Sequence, residues 1–194
     1  MSKITITVKN LTVFREEKCV FKNLSFTASS NKPVYIAGQN GCGKTSLLRT
    51  IAGLLPPFRG EIIFEPCNLE VTKTYLSHDN SLYDHLTIKE NLNLWRHIEG
   101  LPSLYTDIFE ISEFENMYPY QLSQGQKKRA YLTKLIGHHA NILLLDEVFS
   151  DLDIHMISAL TKAFENWRKQ NKLIFYTSHI PINNITPMKI ELPS

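Results

Sequence analysis

Nowhere in the 194 residues is there a run of about 18 apolar positions, so no segment of the sequence qualifies as a bilayer-spanning helix. The opening MSKITITVKN is polar and strand-like and lacks the apolar core of a signal peptide, which predicts a cytosolic chain unless a partner tethers it. Cysteine is scarce. Cys19, Cys42 and Cys67 are odd in number and have no CxxC or histidine-rich context, which argues against a disulfide framework or a zinc site and for free thiols in a reducing compartment. An excess of one charge is missing too: 21 basic against 19 acidic residues leave a net +2, too mild to predict nucleic acid as a partner. Internal repeats, low-complexity tracts and heptads are absent. With 43% hydrophobic and 21% charged residues, what remains is an ordinary globular composition, sufficient for one domain with a sizeable core and room for an inserted subdomain.

Short β-branched runs dominate the first third: Ile4 to Val8, Leu11 to Phe14 and Leu24 to Thr27, followed by PVYIAG at Pro33 to Gly38, a compact apolar strand stopped by glycine. After Gly43 the residues Leu47, Leu48, Ile51 and Leu55 fall at helical spacing, so a helix is predicted directly behind a glycine-rich turn. From Leu86 to about Ile111, Leu86, Leu92, Trp95 and Ile98 suit helices with charged outer faces, interrupted at Gly100-Leu101-Pro102; this middle region reads as a helical insert. NILLLDE has the continuous apolar character of a strand buried on both faces of a parallel sheet. Ile157, Leu160, Phe164 and Trp167 then make one face of a helix whose other side carries Lys162, Glu165, Asn166 and Lys169, and KLIFYTSH returns to a strand. Strands alternating with helices imply an α/β sheet.

Three constellations carry chemistry. Gly38, Gln39, Asn40, Gly41, Cys42, Gly43, Lys44 and Thr45 fit GxxxxGK[ST], with Ser46 next, between a predicted strand and a predicted helix. In such a loop, successive backbone N–H groups point at phosphate oxygens, the helix N-terminus adds its positive end, the lysine reaches the β/γ-phosphates and the hydroxyl of Thr45 can ligate Mg²⁺. Chance supplies the pattern on the order of once per hundred chains of this length. The second is ILLLDE, which places Asp146 and Glu147 at the C-terminal end of a buried strand, where open α/β sheets bind ligands. Asp146 is expected to hold Mg²⁺, directly or through water, and Glu147 to polarise an attacking water. His179 closes another strand, where its imidazole can bond a γ-phosphate and orient that water. The third is Leu122-Ser123-Gln124-Gly125-Gln126, a hydroxyl and a glycine at the start of a helix, which suits either an anion site or a plain N-capped amphipathic helix.

A glycine phosphate loop, then LSQGQ, then an apolar strand ending in DE, then SDLD at Ser150 to Asp153, then a strand ending in histidine: in this order, from about Leu11 to His179, the sequence resembles the ATP-binding subunits of ABC transporters. The resemblance implies an ABC-type ATPase: a P-loop NTPase (RecA-like) core over residues 1–80 and 134–194, with an antiparallel β subdomain, and a helical insert over about 81–133. It implies ATP and Mg²⁺ as cofactors, with Lys44, Glu147 and His179 as catalytic residues and Thr45, Asp146 and His78 at the metal. It further implies that Gln126 and Asp153 bind nucleotide and that Ser123 and Gly125 contact the γ-phosphate bound on a second copy, so that two chains sandwich two nucleotides.

The chain departs from the family pattern at four places. Gln124 stands for the usual second glycine and Val148 for the usual proline. Where an aromatic residue would stack on adenine, the aligned position is Arg15 with Phe14 beside it, leaving open ring stacking by Phe14 or guanidinium stacking by Arg15. His78, in YLSHDN, aligns with the family's glutamine that touches Mg²⁺ and the water; a neutral imidazole there can accept from metal-bound water or take the metal. That histidine, with YL before it and LT and ENL after it, is similar to the branch of the family that serves haem export in cytochrome c maturation. The resemblance thus implies an integral membrane partner at the cytoplasmic face of the cell membrane, docked through Tyr83, Leu86 or Trp95, the last two equally suited to core packing. Exporters of lipid, peptide or drug are the alternative. Soluble members of the family carry duplicated cassettes or coiled-coil insertions, and a generic P-loop kinase leaves LSQGQ unexplained.

Overall fold

The computed structural model describes residues 3–67, 70–77, 81–100, 108–135, 139–179, 182 and 185–192. The chain divides into two compact units, one of Met1–Ser77, Ala140–Val148 and Ala163–Ser194, the other of His78–His139 and Phe149–Lys162.

The first unit holds two sheets. β1 (Thr5–Arg15) and β2 (Lys18–Ser29) form an antiparallel hairpin, and β4 (Arg59–Glu65) pairs with the other edge of β1, giving the order β2-β1-β4. The apolar runs Ile4 to Val8 and Leu11 to Phe14 are therefore one strand. The polar Lys9-Asn10 between them is absorbed as a bulge: the register shifts between Val8 and Leu11, Asn10 turns left-handed (φ 50), and its N–H is donated to Ser25 Oγ at 2.8 Å.

The second sheet is parallel, in the order β5-β6-β7-β3-β8, built from β3 (Val34–Ala37), β5 (Lys73–Leu76), β6 (Ile142–Leu145), β7 (Leu173–Tyr176) and β8 (Met188–Glu191). Every residue of β6 and of β7 is buried, which is why both read as unbroken apolar runs rather than alternating ones. Helix α1 (Lys44–Ala52) shares one core with both sheets: Leu47, Leu48 and Ile51 cluster with Ile6, Val8, Leu11 and Val13 of β1 and with Ile36, Leu144 and Phe175 of the parallel sheet. The topology has a functional consequence. β6, β7 and β3 are adjacent and run the same way, so the segments leaving their C-terminal ends, Asp146-Glu147, Thr177 to His179, and Gly38 onward, emerge side by side.

In the second unit, α2 (Ile88–Glu99) starts with a capping box, Thr87 Oγ1 accepting from the Glu90 N–H at 3.3 Å and Glu90 Oε2 from the Thr87 N–H at 2.8 Å. It stops at Gly100, which is left-handed. The helical pattern expected to run on to Ile111 is not helix where residues 108–111 are described; the Phe109 and Glu110 carbonyls instead accept from Arg129 at 2.8 and 2.9 Å. Asn91, wholly buried, ties residues 83–87 to α2 by donating to the carbonyls of Tyr83, Leu86 and Thr87. Helix α3 (Gln124–Thr133) packs beside α2, where Trp95 meets the Tyr131 ring edge-on at 5.9 Å. Helix α4 (Ile154–Lys169), which belongs to the first unit from Ala163 on, buries Leu160, Phe164 and Trp167 and exposes Lys162, Glu165, Asn166 and Lys169 as its spacing predicts, while Ile157 of the expected face is only half-buried. Among the described residues, no helix is long and apolar enough to cross a membrane.

Candidate nucleotide site

The phosphate loop occupies residues 38–43, between the end of β3 and the first turn of α1. Gly43 is the N-cap of α1 in a left-handed conformation (φ 107), and a Cβ there would collide with Val20 Cγ1, so only glycine fits. Helix geometry leaves the first N–H groups of α1 without intrahelical acceptors, and no acidic side chain sits in that turn to neutralise its positive end. Lys44 folds back under the loop: its Nζ donates to the Gly38 and Gln39 carbonyls at 2.9 and 3.0 Å, and the residue is buried. The loop is thus wrapped round its own cation, an arrangement that suits a polyanion at the loop's outer rim.

Asp146, 1% exposed, is held from three elements. Its Oδ2 accepts from Thr45 Oγ1 at 2.7 Å and from the Tyr75 hydroxyl at 3.3 Å, and its Oδ1 accepts from Thr177 Oγ1 at 2.7 Å. Tyr75 in turn faces the Arg49 guanidinium at 3.4 Å, and burial pushes its phenol above the usual range. Among the described residues no three His, Cys, Asp or Glu side chains converge as a metal cage. The oxygens of Thr45 and Asp146, in mutual contact, nonetheless fit Mg²⁺, which takes one or two protein oxygens and completes its shell with phosphates and water.

Glu147, next in sequence, is left-handed at φ 51, a strained setting for a non-glycine residue. Its N–H is donated to Thr177 Oγ1 at 2.7 Å, and its Oε1 lies 2.8 Å from His179 Nε2. Since an ionised carboxylate only accepts, the imidazole donates through Nε2. Both side chains line a cavity of about 600 Å³ together with Asn40, Gly41, Lys44, Thr45 and Ser46, a size in keeping with ligand pockets of roughly 300–1,000 Å³.

The same cavity resolves which of two residues faces the ligand space. Arg15 lines it, with Lys18, Cys19 and Val20, whereas the Phe14 ring packs against Phe58 at a centroid distance of 5.0 Å and is not among the lining residues. Thr177, Tyr75 and Arg49 were not singled out from the sequence. The hydroxyl just before Ser178-His179 is the one sequence sign of Thr177; Tyr75 figures only as the start of the YL before His78, with no role in the site, and nothing in the sequence marks Arg49.

In the other unit, Ser123 is the N-cap of α3, its Oγ accepting from the Gln126 N–H at 3.2 Å while Gln126 Oε1 accepts from the Ser123 N–H at 2.9 Å. A Cβ on Gly125 would sit 3.4 Å from the Asp151 carbonyl, and Asp153 caps α4 through the Met156 N–H at 2.9 Å. His78 lies outside the described residues.

The comparisons with known proteins agree with this chemistry. The family model described as ABC transporter matches residues 21–150. The Cytochrome c biogenesis ATP-binding export protein CcmA of Wolbachia pipientis wMel is 33% identical over 181 residues, covering 88% of this chain and 87% of that protein. The protein of the same name from Escherichia coli (strain K12) is 32% identical over 179 residues, covering 87% and 86%. Among solved structures, an ABC transporter ATP-binding protein from Pyrococcus furiosus superposes with a TM-score of 0.82 at 22% identity, covering 97% of each chain. The ATP-binding cassette MJ0796, in a dimeric post-hydrolysis state bound to ADP and Pi, gives 0.75 at 22% identity, covering 96% of this chain and 94% of that one. These two likenesses establish the fold. With the family model and the CcmA relatives, they lead to the conclusion that the chain belongs to the ABC transporter family, as one of its nucleotide-binding, ATP-hydrolysing subunits.

Proposed function

We propose that this subunit powers the haem exporter of cytochrome c biogenesis, at the cytoplasmic face of the cell membrane, as a pair of copies sandwiching ATP and Mg²⁺ and docked on an integral membrane protein. The observation that carries the chemistry is the pair of contacts at neighbouring strand ends, Thr45 to Asp146 at 2.7 Å and His179 to Glu147 at 2.8 Å. The CcmA relatives, named as ATP-binding export proteins of cytochrome c biogenesis, support the cargo pathway.

In this mechanism Lys44 and the first N–H groups of α1 bind the β/γ-phosphates, and Thr45 and Asp146 would hold Mg²⁺. The metal, when bound, supplies charge neutralisation on the phosphate oxygens. Glu147 takes up the role of polarising the attacking water, and His179, bonded to its carboxylate, orients it. Ser123 and Gly125 of one copy face the nucleotide of the other, so that ATP binding closes the pair and hydrolysis reopens it. Of the candidate docking residues, Tyr83 is 46% exposed, whereas Trp95 is buried against Tyr131 beneath Lys134 Nζ. Leu86 is half-buried, so exposure favours Tyr83 as the docking contact and assigns Trp95 to the core.

The test is the yield of holo-cytochrome c in cells whose only copy carries Glu147→Gln. Loss of haem attachment is expected. Unchanged attachment with loss of another export activity would replace haem by a different cargo.

A further inference from the structure

One hydroxyl serves both acids. Thr177 is wholly buried, just beyond β7, and its own N–H continues the β6–β7 ladder by donating to the Leu145 carbonyl at 3.0 Å. That pairing brings its side chain to the exit of β6. There Oγ1 donates its proton to Asp146 Oδ1 and accepts the Glu147 N–H, both at 2.7 Å. A hydroxyl can do both at once because it carries one O–H and two lone pairs. Glu147 needs such an acceptor: its left-handed backbone (φ 51) is held where most side chains are strained. Asp146 has its other oxygen on Thr45 and Tyr75 and its N–H on the Leu76 carbonyl at 2.9 Å, and Thr177 supplies the bond to Oδ1 that fixes the carboxylate's rotation. The strand exit that carries Thr177 is itself braced, the Tyr35 hydroxyl donating to the Ser178 carbonyl at 3.1 Å.

We propose that Thr177 is a positioning residue for hydrolysis, its hydroxyl fixing the rotation of the Asp146 carboxylate and the strained backbone that aims Glu147 at the cavity. The proposal rests on Glu147 acting on the attacking water. Threonine suits the task better than serine, because β-branching restricts χ1 and holds the hydroxyl in one rotamer. Thr177→Val keeps the shape and removes both bonds, taking the Thr177 hydroxyl away from the buried Asp146 carboxylate and from the N–H of the half-buried Glu147.

The experiment compares the wild-type chain with Thr177→Val, Thr177→Ser and Glu147→Gln, using MgATP as the probe. Thr177→Val is expected to lower kcat about 10–100-fold with KM for ATP within about 2-fold, and Thr177→Ser to stay within about 3-fold of wild type. A second readout needs no turnover: hydrogen exchange at the Glu147 amide should rise about 10-fold or more in Thr177→Val, stay protected in Thr177→Ser, and be unchanged through Ile142–Leu145 in both. If Thr177→Val does not fold, Thr177→Ala takes its place in both measurements with the same expected direction. A Val or Ala variant with wild-type kcat and a protected Glu147 amide, beside an inactive Glu147→Gln, overturns the positioning role alone. An active Glu147→Gln overturns the catalytic reading beneath it.

Discussion

Thr45 Oγ1 donates to Asp146 Oδ2 across 2.7 Å, joining the first turn of α1 to the end of β6 although 101 positions separate them in the chain. The phosphate loop and the acidic strand end are thereby one site. Each is anchored by buried strands, so their spacing does not depend on a flexible connection.

Lys44→Ala is expected to weaken ATP binding about 10–100-fold, from the loss of charge-assisted bonds to the phosphates. It also removes the donor that holds the Gly38 and Gln39 carbonyls in place. Titration with a fluorescent ATP analogue measures it; wild-type affinity in the variant would remove Lys44 from the site.

Glu147→Gln should bind ATP normally while hydrolysis falls by about 10²–10⁴-fold, the usual contribution of a positioned general base. Because the nucleotide then persists, ATP with Mg²⁺ should shift the variant to twice the chain mass in size-exclusion chromatography. A chain that stays monomeric at saturating ATP, with the membrane partner supplied, counts against the two-copy sandwich.

Ser123→Ala removes an N-cap that accepts the Gln126 N–H at 3.2 Å. A cap of this type contributes about 1 kcal/mol, which for a chain of this size lowers the thermal midpoint by roughly 2–4 °C. Ser123→Asp should restore the midpoint without restoring ATP turnover if the hydroxyl also serves a nucleotide on a second copy. Turnover recovering with stability would confine Ser123 to capping.

Tyr176 provides a pH signature. Burial, reinforced by Tyr35, pushes its phenol up to about 12. A raised acidic group favours the folded state fully below its unfolded value of roughly 10, so this contribution is lost as pH rises from there to about 12. Lys172, lowered by burial, acts in the opposite sense, its penalty lifting as pH approaches 10.5. Thermal melts from pH 9 to 12 are expected to show a fall that is smaller in Tyr176→Phe by about 4 °C or more. Identical pH profiles for the two proteins would show that Tyr176 ionises as freely folded as unfolded.

By itself, the sequence determined the class of chemistry. GQNGCGKT between a strand and a helix, LLLDE, LSQGQ and a strand ending in His179 are local patterns, and each acts through backbone geometry and side-chain type that neighbouring residues dictate. The buried character of β6 was equally legible, because a strand covered on both faces has no polar side to show. The hairpin of β1 and β2 was blurred by Lys9-Asn10, since a bulge breaks the alternation that marks a strand. Only the tertiary structure decided that Arg15 rather than Phe14 lines the cavity: Phe14 has its ring on Phe58, 44 positions on, a pairing no local pattern encodes. The same holds for Thr177, Tyr75 and Arg49. Their roles come from the strand order β5-β6-β7-β3, which sets residues from distant parts of the chain within hydrogen-bond reach of a single buried carboxylate, and of the tyrosine that bonds it.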